Sequence, residues 1–344
     1  MRPIRVLTWH VHGNYLLYLS RARVEFVLPV DAGRGPSYGG RGRTFHFGPN
    51  VVEVPAEQIP NERLDCILFQ TRKNYSTDQY DILSPGQRRL PRIYLQHDPP
   101  WGEPAVERHW FDDPAGLLVH VTPFNALMWD SGRTPNRVID HGVSVPESVR
   151  YTGKCARGIV VVNHLQQRGR RLGADIFEGL RAQVPLDLVG METESFGGLG
   201  EIFPPEIPAF MSRYRFFFNP IRWTSLGLAI IEAMMVGLPI VGLATTELVT
   251  VIRNGESGFV ETDPAKLVQL MHYLIAKPAE ARRMGENARH YALERFGIER
   301  FARDWEAVFS LASGWQPGSQ TAAVADSPPK HAAISTAKPA TVGS

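Results

Sequence analysis

Between residues 157 and 260 short apolar runs and amphipathic stretches follow one another in strict turn, and few folds accept that order. RGIVVVN (157–163) predicts a strand, RLGADIFEGLRAQV (171–184) a helix, PLDLVG a strand, IPAFMSRY a helix and RFFFNP a strand. The helix SLGLAIIEAMMVG, the strand LPIVGLA and a short helix around ELVTVIRN continue the series to residue 254. Strands separated by helices pair in parallel, and the crossovers leave helices on both faces of the sheet.

Residues 1 to about 145 carry the same signal with less regular helices. IRVLTW, VEFVLPV, LDCILFQ, RIYLQH, GLLVHVT and RVIDHGV are apolar runs bounded by breakers, as buried parallel strands are. DAGRGPSYGGRGRTFHFGPN (31–50) reads as a loop, of a kind that is either mobile or covers a ligand. A chain of 344 residues exceeds one ordinary core, so two α/β domains are expected. Residues 263 to about 312 read as helical, broken near Pro278 and Gly297. From Gly314 to Ser344 the chain is mostly Ala, Ser, Thr, Pro and Gly without apolar periodicity, which predicts disorder.

Composition excludes several classes of function. Two cysteines, Cys66 and Cys155, with no CxxC spacing, rule out a disulfide scaffold and a Cys-rich zinc site. A net charge of +2 gives no general reason for nucleic-acid binding. With no signal-type run and no stretch of about 18 apolar residues, the expectation is a cytoplasmic protein, with peripheral contact at the inner membrane face left open.

The richest segment is NPIRWTSLGLAIIEAMMVGLPIVG (219–242). Thr224 or Ser225 suits an N-cap for a helix opening near Leu226, and Gly227 in its first turn lets a ligand approach the backbone. Free amides and the helix dipole make such a start an anion site. Glu232 is the sole charge in this apolar helix, seven residues after Ser225 and so on the same face, about 10 Å along the axis. A diphosphate at the helix start and a ribose beside the carboxylate fit that spacing.

TSLGLAIIEAMMVGLPIVG resembles the donor-binding motif of family-4 glycosyltransferases (glycosyl transferases group 1), retaining enzymes of the GT-B fold. Gly227, Leu228, Glu232, Ala233, Met234, Gly237 and Pro239 fall on the family pattern, and NGESGFV and RRMGENAR match its later run. The first Glu of the pattern is Thr224 here. The resemblance implies a Rossmann-like, acceptor-side domain over 1–145 and a nucleotide-sugar-binding domain over 146–296, with parallel sheets facing a central cleft. It also implies a helix over 297–313 that packs back on the first domain, ahead of the tail 314–344.

Further site residues are implied by the same resemblance. Arg168 and Arg171, in NHLQQRGRRLG, stand near the family's leaving-group cations, with His164 at its Arg position. Gly13 and Asn14 match a Gly-rich turn facing the diphosphate, and His97 a strand-end His near the transferred sugar. Thr224, Ser225, Leu226, Gly227 and Leu228 would join Glu232 in holding the donor. The expected activity is metal-independent hexosyl transfer with retention, as in polysaccharide biosynthesis, from a nucleotide sugar to a glycan, glycolipid or small molecule. The nucleotide sugar is then a substrate, and no cofactor is implied. Two alternatives are a non-catalytic GT-B nucleotide-sugar-binding or scaffold protein, and a metal-dependent hydrolase using the His10/His12 pair.

Overall fold

The computed structural model describes residues 2–35 and 37–314. Seven strands form the first sheet: β1 (Arg5–Thr8), β2 (Glu25–Val30), β3 (Val51–Pro55), β4 (Cys66–Phe69), β5 (Arg92–Gln96), β6 (Leu117–His120) and β7 (Asn136–Val138). They lie in the order β3-β2-β1-β4-β5-β6-β7, every neighbouring pair parallel. The second sheet holds β8 (Cys155–Val161), β9 (Leu186–Val189), β10 (Tyr214–Asn219), β11 (Ile240–Leu243) and β12 (Gly258–Glu261), again all parallel. Its order is β12-β11-β10-β8-β9.

The apolar runs become strands because both faces of each sheet are covered. All four residues of β4 and all six of β10 are buried. The central register pairs Leu7 with Ile67 in one sheet and Ile159 with Phe217 in the other. Strand β3 departs from the expected set: VVEVP sits at an edge, half-buried, and carries a Glu and a Pro. The described residues among 31–50 hold no helix or strand, in keeping with the loop expected there.

In each sheet the strand order reverses at one place, at β1 in the first and at β8 in the second. Chains leaving the two strands that flank a reversal run to opposite faces, so a crevice opens at their carboxyl ends, where such folds bind ligands.

Helices fill residues 264–313 as Pro264–Ala276, Pro278–Arg295 and Ile298–Ser313, with Pro278 and Gly297 at the breaks. The last helix lies on the first sheet's side, where the Trp305 indole N–H donates to Tyr15 at 3.2 Å and Phe309 meets Phe26 edge-on. The chain thus passes twice between the sheets. The two passages run side by side: the Val143 N–H donates to the Phe296 carbonyl at 3.0 Å, and Arg295 pairs with Asp140. The tail expected to be disordered lies outside the described residues, except Gly314, which caps the last helix in the left-handed conformation.

Candidate active site

The carboxyl ends of β1 and β8 border a cavity of about 510 Å³. The segment after β1 supplies His12, Gly13 and Asn14, and the segment after β8 supplies Asn163. Thr44 and Phe45 reach in from the 31–50 loop. A Cβ on Gly13 would meet the Phe45 ring at 2.3 Å, so glycine there lets the loop close down on the start of the helix Gly13–Leu19.

On the opposite side Leu228, Ala229 and Glu232 line the cavity. Their helix spans Leu228–Val236, and its N-cap is Gly227, not Thr224 or Ser225. Residues 222–223 explain the difference. The backbone N–H groups of Arg222 and Trp223 both donate to the Arg171 carbonyl, and the Arg171 guanidinium donates to the Trp223 carbonyl at 3.2 Å. Held in that way, the chain enters the helix two or three residues later than its polar residues suggest. Glu232 therefore lies one turn, about 6 Å, from the first helical residue rather than nearly two turns from Ser225.

From Ile230 to Val236 the helix is buried all round, and Glu232 is only 4% exposed. Its one hydrogen bond comes from the other domain: the Tyr18 hydroxyl donates to Oε1 at 2.9 Å. No guanidinium or ammonium group among the described residues pairs with it. Desolvation pushes its carboxyl up to about 7, with the Tyr18 hydrogen bond acting in the opposite direction. Burial next to that carboxylate drives the Tyr18 phenol well above its usual range. A buried acid with a single neutral partner and a cavity before it is costly to ionise, and a ligand bringing hydroxyl donors removes the cost.

Of the sequence-predicted residues, Gly13, Asn14, Leu228 and Glu232 meet around the cavity; Thr224, Ser225, Leu226, Gly227, His97, Arg168 and Arg171 do not line it. His97 sits behind His12, ring centroids 4.2 Å apart, with Nε2 3.1 Å from Gln70 Oε1. Desolvation, with His12 and His141 nearby, holds His97 neutral, well below the ordinary imidazole range. The imidazole that faces the cavity is that of His12, also lowered by burial. Arg168 and Arg171 both lie on the helix Leu165–Leu172, which kinks at Gly169 and begins six residues before the helix expected from Arg171. The exposed Arg168 acts electrostatically on His12 and has no carboxylate partner among the described residues. Arg171 instead stacks on Trp101, its guanidinium carbon 3.4 Å from the ring centroid.

The metal alternative finds little to build on. His10 Nδ1 lies 2.9 Å from the Gly40 carbonyl, and the His12 ring packs on His97. Among the described residues no three His, Cys, Asp or Glu side chains stand together as a ligand set.

Residues 196–291, which include the helix bearing Glu232, match the family described as Glycosyl transferases group 1. That match falls within the second domain. A 90-residue stretch is 34% identical to D-inositol 3-phosphate glycosyltransferase of Streptomyces bingchenggensis (strain BCW-1), covering 26% of this chain and 20% of that protein. The whole fold resembles sucrose-phosphate synthase of Thermosynechococcus elongatus, with TM-score 0.68 at 15% identity over 91% of this chain and 100% of that one. A glycosyltransferase of Rickettsia africae ESF-5 follows with TM-score 0.64 and 13% identity over 91% and 99% of the two chains. HepE of Anabaena, in complex with UDP-glucose, superposes with TM-score 0.60 and 15% identity over 90% and 100%. The chain has the GT-B fold. In this fold both switch points open onto one cleft, and Glu232 lies on the wall contributed by the second domain. No helix among the described residues is long and apolar enough to cross a membrane.

Two contributors are hidden from sequence reading. Tyr18 is 214 positions from Glu232, and no local pattern links them. His12 stands out in the sequence only as half of a metal pair, although its place just after the first strand marks it as lining the switch point.

Proposed function

We propose that this protein transfers a sugar from a nucleoside diphosphate to an acceptor hydroxyl, with retention at the anomeric carbon and without a metal. Glu232 carries the reading: a carboxylate buried one helical turn behind free amides, bordering a cavity, suits a ribose whose diphosphate reaches the amides of Leu228 and Ala229. Met191, Ile202 and Pro204 offer the base an apolar wall, and His12, Gly13 and Asn14 face the sugar end. His97 acts behind His12, holding its ring. Thr224 and Ser225 do not line the cavity and serve the transferred sugar only from the loop ahead of the helix, while Leu226 and Gly227 shape the turn into it. Glu201 and Glu232 are the carboxylates lining the cavity, and Glu201 lies on the base side beside Ile202. That leaves the departing phosphate oxygen to take the acceptor's proton, in keeping with retention. The complex of HepE with UDP-glucose favours uridine among the donors.

A panel of nucleotide sugars tests the reading through thermal stabilisation followed by donor turnover, with EDTA present throughout. UDP-sugars are expected to raise the melting temperature by mass action and to be consumed despite the chelator. No stabilisation by any nucleotide sugar would reject the donor site. Binding without turnover, with Thr224 in place of the family's acid, would favour the scaffold alternative.

Arg168, outside the cavity wall but close enough for its charge to act on the cavity-lining His12, is the residue we assign to offset charge on the departing diphosphate. Arg168→Ala is expected to lower kcat about a hundredfold with a much smaller change in donor KM, since the charge grows in the transition state. Steady-state kinetics in which only KM moved would assign Arg168 to ground-state binding.

A further inference from the structure

A second concavity, of about 320 Å³, lies at the mouth of the cleft and is built by both domains. Trp101, Gly102 and Pro104 come from the segment after β5, and Arg170, Arg171, Arg222 and Trp223 from the segments after β8 and β10. Trp101 is 59% exposed although its ring carries the Arg171 guanidinium. Trp223 is fixed across the domains, its indole N–H donating to the Pro100 carbonyl at 2.9 Å and its ring edge-on to Phe124. Arg170 and Arg222 share one carboxylate, Asp175, at 2.7 and 2.6 Å, and Arg171 has only the more distant influence of Asp98. Three guanidinium groups line the groove, with Asp175, the more distant Asp98 and Glu107, which accepts from the Gly102 N–H at 2.8 Å, as the carboxylates around it.

This is a built surface rather than a scatter of charges. The anchored Trp223 and the exposed ring of Trp101, whose one face carries Arg171, offer flat apolar surface that suits the C–H face of a pyranose, and Arg edges offer paired donors to a carboxylate or phosphate. Arg171 has no carboxylate in contact among the described residues, its guanidinium donating to the Trp223 carbonyl, and a cation so placed attracts anions. Trp223 adjoins Thr224, and Asp98 and Arg168 act on both Arg171 and the cavity-lining His12. The groove therefore borders the point where the transferred sugar is placed under the proposed function, on which this step rests. We propose that the groove is the acceptor subsite and that it takes a sugar bearing an anionic group.

Calorimetry or saturation-transfer NMR on the full chain tests this with methyl glucoside, methyl glucuronide and glucose 6-phosphate, alongside UDP. Both anionic sugars are expected to bind at least tenfold more tightly than the neutral one, more weakly at high salt, and together with UDP. Trp101→Ala should lower affinity for both about tenfold and leave UDP affinity unchanged. Arg170→Ala should weaken only the anionic probes, by about threefold. Comparing glucuronide with phosphate shows which anion the groove prefers. Equal binding of neutral and anionic sugars, displacement by UDP, or indifference to Trp101→Ala would overturn the proposal. Failure of UDP to bind, with sugar acids still held at Trp101, would overturn instead the nucleotide-sugar reading and the role as acceptor site.

Discussion

Glu232→Gln is expected to lower nucleoside-diphosphate affinity ten- to a hundredfold, about what losing a charge-assisted hydrogen bond costs, while making the unliganded protein more stable above pH 7. The sign follows from the raised carboxyl, about 7 in the folded protein against 4.5 for an unperturbed glutamate. Between those values the folded protein holds a proton that the unfolded chain has released, so stability declines as pH rises through that window. At pH 8 the penalty is fully present, on the order of 3 kcal/mol. Gln never ionises and escapes it. The melting-temperature gap between variant and parent should therefore be absent near pH 4 and reach several degrees at pH 8. Donor binding runs the other way: the parent needs the carboxylate, so its affinity falls as pH drops below 7, whereas the variant's stays flat. Tyr18→Phe should move the parent's midpoint upward, because the phenol's hydrogen bond favours the charged form. Equal donor affinity in parent and Glu232→Gln across pH 6 to 8 would remove the ribose assignment.

Gly173→Ala should be the most damaging single methyl group near the site. Gly173 has φ +81°, and a Cβ there would stand 2.0 Å from the Pro220 carbonyl oxygen, a backbone atom that no side-chain rotation can clear. Strain in the left-handed region and displacement of residues 219–227 together are expected to cost about 2–4 kcal/mol. Because that segment leads into the Glu232 helix, donor affinity should fall too, although residue 173 touches no ligand. Denaturant melts and nucleotide titrations of the same preparation check both effects. A variant as stable as the parent would show that the segment yields, contrary to its three hydrogen bonds to Arg171.

Much of the fold can be read from the chain because buried parallel strands are apolar without interruption: IRVLTW and RFFFNP carry their own assignment. VVEVP does not, since an edge strand needs no such purity. The Leu165–Leu172 helix escapes sequence reading because Gly169 breaks it and its residues are mostly polar; neighbouring segments hold it in place. At the site, Glu232 stands out as a lone charge among aliphatics. The helix start does not, because Ser225 is a better capping residue than Gly227 by its own chemistry, and the outcome is decided by Arg171, some fifty positions earlier. Long-range hydrogen bonds of this kind leave no periodicity behind.

The doubled passage between the sheets limits how this protein can open. Two connections fastened together at Val143 and Phe296, and riveted by Arg295 to Asp140, behave like the leaves of a door hinge: they allow a swing about one line and resist corkscrew rotation. Opening about that line would part Tyr18 from Glu232, so the one hydrogen bond that the buried carboxylate accepts depends on the two domains standing as they do here.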